Sequence, residues 1–394
     1  MRIAQLYFIF FIVAQQSLII HTSFVGSFQE IASSPFSAGT NPASSAFSPI
    51  TTFGKLFAAV PNFGSANIST YTVDQTTGFL TPAPGSPVAC GNQPTYLAFS
   101  PITTAGNLFA AVTNFADGDI STYLVDQNTG AFTPIATVFT GTQPSGVAFS
   151  PIASGNLYLA VPNTGLVSNL SIYSVNQTTG ALALISAFSI GNTAKLVACS
   201  PIIATGNLLV AVVNQGDNTV SVFNINPVFN IAFLVGTFAT GPSPIGVAFA
   251  PVPLTGGDFL AAVTNNGDGT VSVYSVNQAT GVFTPIGSPV AAGSGANNVA
   301  FSPLIAGELF AAVVNFNSSN VSVYQVDRTT GFFTPLGDSP YATGAQPDGI
   351  NYSPKVGSKF FAITGNFGSD DASVFEVSTQ SCNALTVYLT INPS

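Results

Sequence analysis

Apolar and polar positions along this chain alternate in blocks of about fifty residues, and each block repeats the one before it. The clearest block is Gly246–Gly293, with four apolar runs, VAFA, FLAAV, TVSVYSV and FTPIGSPV, separated by Gly, Asn, Asp and Pro. Val, Phe, Tyr and Thr dominate the runs, and no helical period is sustained over ten residues, so the runs predict short strands. Asn-Gly-Asp-Gly between the second and third runs predicts a tight hairpin, since Asn and Gly accept positive φ. The Val-Asn-Gln-Ala-Thr-Gly segment after the third run predicts a turn in which the Asn side chain bonds nearby backbone.

Three landmarks set the register. A Pro, preceded by Ser or once by Ala, recurs at positions 49, 101, 151, 201, 251, 303 and 354. An Asn closes the second run at Asn62, Asn114, Asn163, Asn214, Asn265, Asn315 and Asn366, at spacings of 52, 49, 51, 51, 50 and 51. An aromatic stands in the third run at Tyr71, Tyr123, Tyr173, Phe223, Tyr274, Tyr324 and Phe375. Seven copies of four hairpin-linked strands predict an all-β fold, a seven-bladed β-propeller of four-stranded antiparallel blades. The shorter, parallel coils of a β-solenoid fit the pattern less well.

The segment Phe28–Gly39 (FQEIASSPFSAG) has the length and pattern of Phe333–Gly344 (FTPLGDSPYATG), a fourth strand, yet it precedes the first Ser-Pro. It is therefore expected to close the ring by completing the last blade beside Phe375, which removes an open sheet edge. The apolar tail Ala384–Ile391 competes with Phe28–Ala38 for that outer place. Blade four departs from the repeat at Asn226–Phe233 (NPVFNIAF), where the Thr-Gly of the turn is missing. Residues 1–27 resemble a secretory signal, with Arg2, an apolar core Leu6–Ala14 and small residues at Val25, Gly26 and Ser27 before a cut at Phe28. Nine apolar residues are too few to span a bilayer, and no later stretch is long enough. Residues 28–394 are expected to form one domain.

VAFSP, an apolar run ending in Asn, then VSVYxVN and TG resemble the YVTN/lactonase-type seven-bladed propellers over roughly the whole mature chain. That resemblance implies the propeller fold and, among its enzymes, lactone hydrolysis of the 6-phosphogluconolactonase type. It also implies His, Arg and acidic side chains near the channel mouth, with a His-Pro before an innermost strand. Here those loops read Asn92-Gln93-Pro94, Thr142-Gln143-Pro144 and Ala345-Gln346-Pro347, and the one His is His21, in the signal-like segment.

Charged residues make up 5% of the chain, against about 25% in ordinary globular domains. A net charge of −9 with six Lys and Arg excludes a basic patch for nucleic acid. Nine Asp residues, at positions 74, 117, 119, 126, 217, 268, 327, 370 and 371, fall in turns, where backbone capping explains them, and no cofactor or metal motif appears. Cys199 occupies a core column. Cys90 and Cys382 are too far apart in the repeat to suggest a disulfide, so all three are expected as free thiols.

These features predict a secreted, periplasmic or cell-surface propeller acting as a non-catalytic binding or scaffold module, with no catalytic residue assigned. A lactonase-like hydrolase and a structural envelope protein are the alternatives. The expected ligand is a carbohydrate, protein or peptide at the channel mouth. The column three residues before the first-strand Ala holds Ala43, Thr95, Ser145, Lys195, Ile245, Asn297 and Asp348, of which only Lys195 and Asp348 are charged. With Asn297, Asn298 and Tyr96 they form the candidate ligand site.

Overall fold

The computed structural model describes residues 25–165 and 168–380, arranged as seven antiparallel sheets around a central channel. In blade six the strands run outward as Ala296–Phe301, Leu309–Asn315, Asn320–Val326 and Phe333–Pro335. The same order holds in every blade, with the strand that leads into Ser-Pro or Ala-Pro innermost. Second strands such as Phe109–Asn114 and Phe259–Asn265 are buried along their whole length. Each is covered on both faces by neighbouring blades, so an unbroken apolar run replaces the alternation of a half-exposed strand.

The ring closes as the N-terminal segment predicts. Val25–Glu30 pairs antiparallel with Asp371–Gln380, setting Phe28 opposite Val377, and Phe36–Ser37 continues the pairing opposite Ala372 and Asp371. Phe28 is 3% exposed, its ring stacked 4.6 Å from that of Phe375 and 5.0 Å from that of Tyr341. The strand begins at Val25, three residues before the expected cleavage point. Residues 1–24, which hold most of the signal-like segment, and the tail strand Ala384–Ile391 lie outside the described residues.

The fourth strand is less uniform than the sequence pattern predicts. In blades one, five, six and seven it is broken in two, as in Leu80–Pro82 and Val88–Ala89 of blade one. Ser-Pro occupies the break, and the Ser hydroxyl accepts a third-strand N–H: Ser86 from Thr70 at 2.9 Å, Ser339 from Val323 at 2.8 Å and Ser34 from Val374 at 3.0 Å. Blades two, three and four lack that dipeptide and keep continuous edges, Phe132–Phe139, Leu182–Ser189 and Ile231–Ala239, each with one register shift against its neighbour. In blade four, Asn230 at φ 56° takes the left-handed place that Gly holds at positions 78, 130, 180, 281 and 331. The missing Thr-Gly is thus met by the residue type that best tolerates that conformation after Gly.

Three repeated side chains hold the architecture. The Ser of Ser-Pro accepts the N–H that opens the second strand, as Phe57 to Ser48 at 3.0 Å and Phe361 to Ser353 at 2.9 Å. The aromatic column ties neighbouring blades, with Tyr71, Tyr123, Tyr274 and Tyr324 donating to carbonyl groups of the preceding blade's outer strand. The seven Asn side chains form a closed ring at one end of the channel, each 0% exposed. Asn265 accepts from Gly241 N–H at 3.0 Å and donates to Thr270 at 2.9 Å and Ser272 at 3.0 Å, which joins the incoming chain to the blade it enters. Gly241 has no room for a side chain, because a Cβ would sit 2.5 Å from the Asn265 amide. The ring is a buried structural device, and its amides offer no polar rim to a ligand.

Candidate active site at the channel mouth

The seven innermost strands enclose a cavity of about 350 Å³. Its wall contains Ala98, Ala148, Ala198, Ala248 and Ala300, with Asn351 in the equivalent position of blade seven. At the Asn-ring end the wall becomes polar, through Tyr96 of blade two and Asn298 of blade six. Lys195, Asn297 and Asp348 stand second in the innermost strands Ala194–Cys199, Ala296–Phe301 and Pro347–Tyr352, one residue before the lining, in blades four, six and seven.

The five predicted residues converge. The Asn297 amide donates to the Asp348 carboxylate and, at 3.1 Å, to the Asp348 backbone carbonyl. Lys195 is near enough for its charge to act on Asp348 without a direct ion pair. Asn298 and Tyr96 both line the cavity, and the Tyr96 phenol feels the Asp348 charge. Desolvation outweighs these partners: it lifts the Asp348 carboxyl to about 7, with the Asn297 hydrogen bond and Lys195 opposing the rise. Burial draws the Lys195 ammonium below its ordinary value, against the pull of Asp348, and pushes the Tyr96 phenol well above its own. An acid poised near neutrality beside an amine and three hydrogen-bonding side chains can exchange a proton with a bound substrate at physiological pH.

Two further residues emerge only from the structure. Thr264 donates to the Asn297 carbonyl at 2.8 Å and accepts from Gly246 N–H at 2.8 Å. Thr113 accepts from Tyr96 N–H at 3.0 Å and donates to its carbonyl at 3.2 Å. Both precede the ring Asn, where other blades carry Pro61, Pro162, Val213, Val314 and Gly365. A hydroxyl appearing twice in an otherwise apolar column was the available signal. Ser44 also lines the cavity, and its buried hydroxyl has no hydrogen-bond partner.

Other acids have structural roles, several of them in turns. Asp74 accepts from the N–H groups of Thr76 and Thr77, which holds its carboxyl below the usual range, and Asp126 and Asp327 repeat this. Asp117 and Asp217 cap the loops at Asn92 and Asn192. Cys90 and Cys199 are free, and burial raises both thiols to about 12. Cys382 is outside the described residues.

Residues 56–167 match the family model described as lactonase, seven-bladed β-propeller. No curated protein matches the chain. Among solved structures, a Bacteroides fragilis protein assigned as a 6-phosphogluconolactonase is 19% identical, covering 84% of this chain and 97% of its own with a TM-score of 0.59. A periplasmic gluconolactonase of Pseudomonas aeruginosa is 18% identical, covering 88% and 92% with a TM-score of 0.60. A hydrazine synthase of Kuenenia stuttgartiensis is 16% identical, covering 85% and 95% with a TM-score of 0.59. At these identities the likeness is one of fold, and one such fold carries several chemistries. Among the described residues no helix is long and apolar enough to cross a membrane. By its seven closed blades the chain is a seven-bladed β-propeller, and over blades one to three its sequence is similar to the lactonase family of that fold.

Proposed function

We propose that this protein hydrolyses a sugar lactone at the Asn-ring mouth of the channel. The observation that carries this reading is the buried Asp348 carboxylate, bonded by the Asn297 amide and within reach of the Lys195 charge at the channel mouth of a propeller similar in part to the lactonases. Ionised Asp348 takes a proton from water as the oxygen attacks the lactone carbonyl carbon. Lys195 then faces the oxyanion of the tetrahedral intermediate, where a fixed cation in a poorly solvated site is most effective. As the ring C–O bond breaks, Asp348 returns the proton to the leaving oxygen and a hydroxy acid is released. Tyr96, Asn297 and Asn298 hold the hydroxyl groups of the sugar.

The charge balance favours an unphosphorylated substrate. Lys195 is matched by Asp348, whereas phosphate sites draw on bidentate Arg or several cations. The signal-like segment and the scarcity of surface charge support action outside the cytoplasm, as in the periplasmic neighbour. A second reading, sugar binding without turnover, is favoured by Gln-Pro in the loops where the resemblance implies His-Pro.

Proton release on a panel of aldonolactones and their 6-phosphates tests both readings. Turnover of the neutral lactones above the spontaneous rate, lost in Asp348→Asn, is expected. Binding of aldonolactone or hydroxy acid without proton release would establish the second reading instead.

A further inference from the structure

We infer that the outer edge of blade four is a contact surface for a second copy of this chain. Val228, Phe229, Ile231, Phe233 and Leu234 lie together on the turn and first half of the edge strand Ile231–Ala239, and each is 48–71% exposed. The repeat itself shows that this is a local replacement. Strand pairing aligns Phe233-Leu234 with Thr81-Pro82 of blade one and Thr334-Pro335 of blade six, and blades two and five also carry Thr-Pro there. Val228-Phe229 replaces a Thr-Thr pair, as at Thr76-Thr77 and Thr329-Thr330. Pro and polar side chains on an edge strand block association between sheets. Blade four has lost both protections at one place.

The charge distribution identifies the occupant. Between Asp126 and Asp258 the only charged residues are Lys195, in the channel mouth, and Asp217, which caps the Asn192 loop at the Asn-ring end. The outer walls of blades three and four are therefore uncharged in a chain of net charge −9. Two copies repel each other least when these sides meet, and an antiparallel meeting of identical edges is self-complementary. Leu184, 59% exposed on the edge of blade three, extends the patch. Covering the five blade-four side chains removes roughly 500 Å² per copy, so a pair reaches about 1,000 Å², the lower range for a specific interface. The register shift at Val222/Phe223 limits straight pairing to Ile231–Leu234, so side-chain packing supplies most of the contact.

Sedimentation equilibrium of the full-length protein from 1 to 100 μM tests the inference, at concentrations chosen for an interface of this size. A reversible dimer is expected. The double variant Phe233→Thr/Leu234→Pro restores the residues of four other blades, including blade two with its continuous edge, and so is compatible with the fold. It is expected to weaken the dimer at least tenfold while leaving thermal unfolding and lactone turnover unchanged. A photo-crosslinking amino acid at position 233 is expected to capture a second copy. A monomeric wild type at 100 μM, a dimer unaffected by the double variant, or a crosslink to residues 381–394 of the same chain would each overturn it.

Discussion

Two concentric sets of polar side chains occupy one end of the channel, and they differ in almost every respect. The outer set, Asn62 through Asn366, is the same residue in every blade, wholly buried and bonded to its own blade and, as at Asn62, Asn114 and Asn265, to the chain entering it. The inner set, Ala43 through Asp348, differs in every blade, and its polar members reach across blades. In a repeat protein a feature present in all copies serves what all copies share, which is the fold. A feature present in one copy serves the ring as a whole. Regularity here marks structure, and departure from it marks the candidate chemistry.

Replacing Asp348 by Asn should give the largest effect, about a thousandfold loss of kcat/KM through loss of the general base. In the unaltered protein kcat/KM should climb as pH rises through about 7, where Asp348 ionises. Stability should respond in the opposite sense. The folded-state value lies above the ordinary carboxyl value of 3.8, so folding favours the protonated form and stability falls as pH rises from about 4 to 7. Asp348→Asn removes that cost, and its gain in unfolding free energy should reach on the order of 2 kcal/mol at pH 8. A variant that loses both activity and stability would place Asp348 with the outer set.

Asn265→Ala should do the reverse. It leaves Gly241 N–H and the Thr270 and Ser272 hydroxyl groups without their shared partner, and unfolding free energy should fall by about 3 kcal/mol. Turnover by the protein that remains folded should be unchanged. Lys195→Met should cost about thirtyfold in kcat/KM, near 2 kcal/mol, chiefly in kcat if the amine serves the oxyanion. The smallest effect is expected for Thr264→Val, which loosens the start of the Ala296–Phe301 strand at Asn297 by removing hydrogen bonds worth about 1 kcal/mol each. A KM change several-fold larger than the change in melting temperature implies would show that Thr264 positions the site.

The repeat made the blades, the closing strand and the five mouth residues legible, since each is a matter of spacing or of one odd member in a column. The proximity of Tyr96, Lys195 and Asp348 was not legible. It depends on how tightly seven blades close, which the volumes of packed side chains decide together. The division of the outer strands was missed because Ser-Pro reads as part of an apolar run, while its hydroxyl acts on the neighbouring strand. The Asn-Gln-Pro and Thr-Gln-Pro loops pointed away from an enzyme. A burial-shifted carboxyl, which no residue pattern reveals, points back toward one.

The pairing of Val25 with Gln380 has a consequence for the order in which the protein comes together. The strand that completes blade seven is made before its partner and waits for it across more than three hundred residues. Contacts of such separation form late, because their loop-closure entropy is met only when the intervening chain has already condensed. Asp348 belongs to that last blade, so blades two, four and six can be in place while their proton carrier is still missing. On the proposed function, hydrolysis switches on with ring closure itself, and the first turnover times the final step of folding.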